Sequence, residues 1–191
     1  MLFLWVGAAG GVWAGEIATG ESEPTVWIAG YSPMGQSFTA EDSRISSIGF
    51  LLSDLNPQAG DTTLTYELFE GIGFDGLSLG RDSVDLAPGK TQWSNADFSL
   101  VNLTVGQNYS VELEGSRGSL ERWGVHVFMM NDPYPGGTAL VQGQVASDFP
   151  PANFITDLCF RVEPIPEPRP VLLILCGLLL PVLRLIKRNA N

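Results

Sequence analysis

Trp123-Gly124-Val125-His126-Val127-Phe128-Met129 sets Trp123, Val125, Val127 and Met129 on one side of an extended chain and His126 on the other. Period-two alternation is the mark of a strand with one buried face. The pattern recurs in both directions. Ile48, Phe50 and Leu52 alternate, as do Leu64, Tyr66 and Leu68, then Tyr109, Val111 and Leu113, and finally Leu158, Phe160 and Val162. Between these runs stand turn signals: Asn56-Pro57, Ala59-Gly60-Asp61, Asp75-Gly76, Pro88-Gly89, Val105-Gly106 and Pro135-Gly136-Gly137. No window sustains a 3.6-residue period between helix caps, and no internal repeat is visible. Eight to ten short strands with this punctuation predict an all-β domain over residues 15–163, an antiparallel β-sandwich of jelly-roll type.

The chain has 191 residues, 45% apolar and 16% charged, with 22 Gly and 13 Pro. That suits one domain and excludes a disordered chain. All 21 acids lie between Glu16 and Glu167, where only six basic residues fall, leaving a surplus of about 15 negative charges. A nucleic-acid partner is excluded on charge.

Both ends read as signals. Leu2 to Val12 is apolar or small, and Val12 and Ala14 put small residues where a signal peptidase requires them. Residues 1–14 are thus expected to be a signal peptide cleaved after Ala14, although no Lys or Arg precedes the apolar run. At the other end, residues 164–170 form a Pro-rich spacer, stiff because each proline fixes φ. Residues 171–186 follow as an uninterrupted apolar run until Arg184, and 187–191 make a basic tail expected in the cytoplasm. As a helix the run measures about 24 Å, against a hydrocarbon core of about 30 Å. So short a span, holding Gly177 and Pro181, suits a temporary membrane stay better than a permanent anchor.

Pro166-Glu167-Pro168, then an apolar segment, then a basic end resembles the PEP-CTERM sorting signal of Gram-negative bacteria. The resemblance covers residues 166–191. It implies an exosortase-type membrane protease as partner, transient insertion in the inner membrane, and release to the cell surface or exopolysaccharide matrix. Pro166, Glu167 and Pro168 would be the recognition element, and Arg184, Lys187 and Arg188 the stop-transfer cluster. Arg169-Pro170 departs from the small hydroxyl residue more usual after the tripeptide. In the domain, Gly35-Gln36-Ser37-Phe38-Thr39-Ala40, the Trp93 region, Leu103 to Tyr109 and Asp157 to Val162 resemble a jelly-roll domain of uncharacterised exported bacterial proteins. That second resemblance implies no activity.

Chemistry is sparse. Gly71-Ile72-Gly73-Phe74-Asp75-Gly76 has dinucleotide-fingerprint spacing, but strand-like sequence follows it, so a wide hairpin loop is expected. His126 is the sole histidine and is expected to face solvent, which leaves a nucleophile–base set without support. Asp54, Asn56, Gln58 and Asp61 cluster oxygen ligands that calcium favours, without the EF-hand spacing, and local turn bonding explains them equally well. One histidine and one domain cysteine exclude zinc, and no cofactor or catalytic residue is expected. Cys159 is expected as a buried filler, unable to pair with Cys176 across a membrane boundary.

Extracellular polysaccharide is the ligand considered. Trp27, Trp93, Trp123 and Tyr134 are candidate stacking platforms, Trp123 and Trp93 having also a core reading. Asn131 and Asp132 flank Tyr134 as candidate polar contacts. The expected protein is a non-enzymatic matrix or adhesive component. A glycan-active enzyme and a permanently anchored surface protein are the alternatives.

Overall fold

The computed structural model describes residues 16–20, 24–57, 62–130, 132–150, 152 and 154–165. The expected signal peptide at 1–14, the Pro-Glu-Pro motif and the helix at 171–186 lie outside the described residues. Among the described residues no helix is long and apolar enough to cross a membrane.

The chain is all-β with antiparallel sheets. In order it runs β1 (Ile17–Ala18), β2 (Thr25–Trp27), the one-turn helix α1 (Ile28–Tyr31), β3 (Met34–Thr39), β4 (Ile45–Asp54), β5 (Thr62–Glu70) and β6 (Ser78–Leu86). Then come β7 (Thr91–Asp97), β8 (Asn108–Gly115), α2 (Arg117–Arg122), β9 (Trp123–Met129), β10 (Thr138–Val141), β11 (Gln144–Val145), a 3-10 turn (Ala146–Asp148), β12 (Ile155–Leu158) and β13 (Phe160–Pro164). Each alternating run named above lies in a strand: 48–52 in β4, 64–68 in β5, 109–113 in β8 and 123–129 in β9. The run 158–162 is split between β12 and β13. The glycine-rich stretch 71–76 is the loop between paired β5 and β6, as expected.

One sheet orders β1-β13-β4-β9-β12, with β2 also on β9 and β7 on β4; the other orders β11-β10-β3-β8-β5-β6. Successive strands from β2 to β5 alternate between sheets, so the inward side chains of both meet in one core. Phe50 of β4 stacks on Tyr66 of β5 with ring centroids 5.7 Å apart. Tyr66 donates its hydroxyl across the core to the Ser94 carbonyl at 3.0 Å, and the Trp123 indole donates to Thr62 Oγ1 at 2.6 Å. Phe38, Phe50, Tyr66 and Trp123 are fully buried, each contributing about 1.5–3 kcal/mol by loss of apolar surface to water.

A polar network also spans the sheets. Gln36 Nε2 of β3 donates to Asp157 Oδ1 of β12 at 2.7 Å, and Gln36 Oε1 accepts from the Leu158 amide at 2.9 Å. Both side chains are buried, so each needs the other.

The last segment reverses at Cys159. Ile155–Leu158 pairs antiparallel with β9, while Phe160–Pro164 pairs antiparallel with β4. At the turn the Cys159 amide donates to the His126 carbonyl and the Leu51 amide donates to the Cys159 carbonyl. Wedged in this way, the segment spreads β4 from β9, which pair directly through Leu52–Asp54 and Trp123–Val125. Cys159 is buried, in keeping with its filler reading. The first strand then closes on the last, with Ile17 opposite Val162 and Ala18 opposite Arg161. The domain's two ends therefore emerge side by side.

Candidate functional site

An open groove of about 890 Å³ lies on the outer face of the six-stranded sheet. Its floor comes from strand alternation. Tyr109, Val111 and Leu113 of β8 point into the core, so Glu112 and Glu114 point out. Register then sets Glu112 opposite Glu67 of β5, and Glu67 opposite Arg81 of β6. Arg81 pairs with Glu114 and stands 3.6 Å from Glu67 Oε2. Glu112 is the member without that cation in contact. Partial burial first, then the neighbouring charges of Glu114 and Glu67, raise its pKa to about 7, with Arg81 opposing.

At one end, beyond Glu112, the same sheet face carries the 71–77 loop. Phe74 sits over Gly35, the cross-strand neighbour of Glu112, and a Cβ at Gly35 would meet the Phe74 ring at 2.9 Å. Ser110 pins the loop by donating to the Gly71 carbonyl at 2.8 Å and accepting from the Gly73 amide at 3.0 Å. The other end is walled by α2, a helix not anticipated from the sequence because six residues are too few to show a period. Its one signal was Ser116, whose hydroxyl caps the Ser119 amide at 3.2 Å. Arg122, at the end of α2, is held by the Asp54 carboxylate through Nε (2.9 Å) and Nη2 (2.7 Å).

A second hollow of about 490 Å³ adjoins the first, sharing Ser32, Gly115 and Leu120, and is lined by Trp27. Trp27 is 48% exposed, and its indole nitrogen donates to the Glu121 carbonyl at 2.7 Å, which fixes the ring against α2.

The other candidate rings are placed differently. Trp123 has no exposed surface and so offers no stacking face. Trp93 is half-buried, with the Arg161 guanidinium 4.7 Å from its ring centre. Tyr134 packs edge-on to Phe160 at 5.4 Å, and its hydroxyl donates to the Thr39 carbonyl and accepts from the Thr39 amide, each at 3.2 Å. Burial raises its pKa. Asp132 is exposed and interacts with Asp157; Asn131 lies outside the described residues. Trp123 is therefore no platform, and Trp93 and Tyr134 rest on different partners, Arg161 and Phe160. Trp27, also a candidate platform, borders an open groove.

Two expectations are corrected. His126 does not face solvent: it is 8% exposed, with Nε2 2.7 Å from Ser53 Oγ, which in turn contacts Thr91 Oγ1 at 2.7 Å. Alternation does put it opposite Trp123, but β2 alongside and the Ser53–Thr91 pair make that position an enclosed one. Met129 does not share the buried face of Trp123, Val125 and Val127; at the strand's end it is 40% exposed. The Asp54 carboxylate, considered for calcium, is occupied by Arg122 and by the Asn56 and Gly89 amides, at 2.9 and 2.7 Å. Gln58 and Asp61 lie outside the described residues. Among the described residues no group of three His, Cys, Asp or Glu is placed to hold a metal ion.

Fold and groove together define an all-β, two-sheet antiparallel domain with an open polar cleft on one outer face. No family model matches the chain, and no curated protein does.

Proposed function

We propose that this chain is an exported, surface-sorted, non-enzymatic jelly-roll protein that serves the cell envelope or exopolysaccharide matrix as a structural or adhesive component and holds carbohydrate in the groove beside α2. The observation that carries the address is the position of the three-part C-terminal signal: Pro-Glu-Pro begins at 166, two residues past the end of β13. A closed domain followed at once by a removable tail is what a surface-sorted cargo needs. The side-by-side ends support the same reading, since the leader and the tail attach at one place. Cleavage after Ala14 and removal of everything beyond the Pro-Glu-Pro region would leave β1 and β13 intact.

The jelly-roll assignment rests on strand order. β2-β9-β4-β7 opposes β3-β8-β5-β6, with β10 to β13 and β1 as additions. During transit the tail would sit in the inner membrane while an exosortase-type protease acts at Pro166, Glu167 and Pro168.

The rival reading, a glycan-active enzyme, draws on Glu112 standing beside Glu67 with a raised pKa. A hydrolase sets its two carboxyls on opposite sides of the bond, at about 5–10 Å. Here the two stand side by side on one sheet face with Arg81 next to them, which favours binding over cleavage. Release of reducing ends from oligosaccharides, abolished by Glu112→Gln, would reverse that preference.

Sorting is tested by expressing the wild type and Glu167→Ala in the native cell and fractionating. The wild type is expected at the surface and the variant in the inner membrane. Identical distributions would contradict the reading.

A further inference from the structure

The groove's chemistry selects among glycans. Its floor carries two carboxylates, Glu112 and Glu114, with Glu67 beside them on β5, and the cations around it already have partners. Arg81 is paired with Glu67 and Glu114, Arg122 with Asp54, and Arg117 with Glu121. The domain as a whole adds its surplus of acids. An anionic polysaccharide meets repulsion here, while a ligand bearing ammonium groups meets a sheet face on which three carboxylates share the cation Arg81.

The second independent feature is the Trp27 ring. Half-exposed, it is oriented by its bond to the Glu121 carbonyl and continuous with the acidic floor through Ser32, Gly115 and Leu120. A rigid aromatic surface beside polar groups suits a sugar ring, which offers C–H bonds on one face and hydroxyls on its rim. The main cleft, about 890 Å³, falls within the roughly 300–1,000 Å³ of clefts that hold small ligands. Thr63, Thr65 and Ser116 line it with hydroxyls.

We propose that the groove between α2 and the outer face of β5 and β8 binds an amine-bearing glycan, a polymer with unacetylated amino sugars, with one sugar on Trp27 and ammonium groups against Glu112 and Glu114. This rests on the carbohydrate-binding part of the proposed function and narrows it to one charge class. The high proton affinity of Glu112 agrees with it, because a bound ammonium would relieve the same like-charge repulsion that a proton relieves.

The test is calorimetric titration of the full chain in neutral detergent, at pH 7 and low salt, with hexamers of glucosamine, N-acetylglucosamine and galacturonate. The glucosamine hexamer is expected to bind roughly tenfold or more tighter than its acetylated counterpart, and galacturonate not to bind. Trp27→Ala is expected to weaken both amino-sugar ligands roughly tenfold, with Trp27→Phe recovering part of the loss. Glu112→Gln is expected to abolish the preference for the amine while leaving the acetylated ligand's affinity in place. Equal affinity for the two amino-sugar hexamers would overturn this inference and leave glycan binding standing. Glucosamine binding indifferent to both substitutions would overturn it as diffuse attraction to an acidic surface. Silence toward all three would overturn it together with the carbohydrate-binding proposal. Unchanged melting temperatures certify that the variants are folded, since Trp27 and Glu112 both lie outside the core.

Discussion

Asp54→Asn probes how the domain holds the wall of its groove. Asp54 ends β4 and accepts four hydrogen bonds: Arg122 Nε at 2.9 Å and Asn56 N at 2.9 Å on Oδ1, Arg122 Nη2 at 2.7 Å and Gly89 N at 2.7 Å on Oδ2. The side chains of Arg122 and Asp54 are 3% and 0% exposed. The pair thus ties the end of α2 to β4 and to the turn before β7. The Arg122 guanidinium, foremost, holds the Asp54 carboxyl well below the usual carboxylate range, with the Gly89 and Asn56 amides assisting and burial opposing. The Asn substitution preserves shape, removes the charge and turns an amide group toward the guanidinium. Breaking a fully buried pair from one side costs about 3–5 kcal/mol and an exposed one about 0–1. A pair at the end of a sandwich, under a turn, falls between, at about 2–3 kcal/mol. For a domain of this size that lowers Tm by roughly 5–10 °C.

A depressed carboxylate pKa also fixes the pH dependence. Its stabilisation is complete above the unfolded value of about 4 and is lost as pH falls through the folded value. Urea denaturation followed by tryptophan fluorescence should therefore show the wild type more stable than Asp54→Asn at pH 7, with a gap that narrows below about pH 4. Equal stability at pH 7, or a gap that does not change on acidification, would refute the reasoning.

The remaining predictions test the core and the closing contacts. Burial first, and the nearby Asp132 charge, raise the Asp157 pKa to about 7 against the Gln36 hydrogen bond, so its folded value lies above its unfolded one. Stability should then fall as pH rises from about 4 to about 7, and Asp157→Asn should flatten that slope, read as Tm at pH 5 and pH 8. Tyr66→Phe leaves the Ser94 carbonyl without its buried donor and should cost about 1 kcal/mol, or roughly 2–4 °C in Tm. Gly35→Ala drives its Cβ into the Val111 carbonyl oxygen beneath Phe74 and should loosen the β3–β8 pairing, seen as faster amide exchange in those strands and in the 71–77 loop.

Much of the sandwich was legible because its strands are half-buried. Wherever one face meets the core, as at Ile48–Leu52 or Tyr109–Leu113, the period of two is written in side-chain size. Short elements leave no such trace. β2 has three residues, and the β10–β11 hairpin turns through Gln142 and Gly143 at φ 49° and 75°, a conformation that Gln142 does not advertise. The groove was less legible for a different reason. Its acids lie on the polar side of a readable alternation, but Trp27, Arg81 and Glu112 are far apart in sequence; strand register sets Arg81 near Glu112, and a bond to α2 brings Trp27 alongside. Exposure misled where it depends on neighbours: His126 is enclosed by adjoining strands, and Tyr134, which reads as a loop aromatic, is held against Phe160. The address proposed for the protein rests on linear signals at both ends, which need no fold to be read.

Intact mass spectrometry of the protein recovered from the native cell surface tests that address most directly. A species that starts at Gly15 and lacks Arg184 to Asn191, with its new C-terminus near Pro166–Pro168, is the predicted result. A surface or membrane population that keeps the last residue, Asn191, would contradict the account.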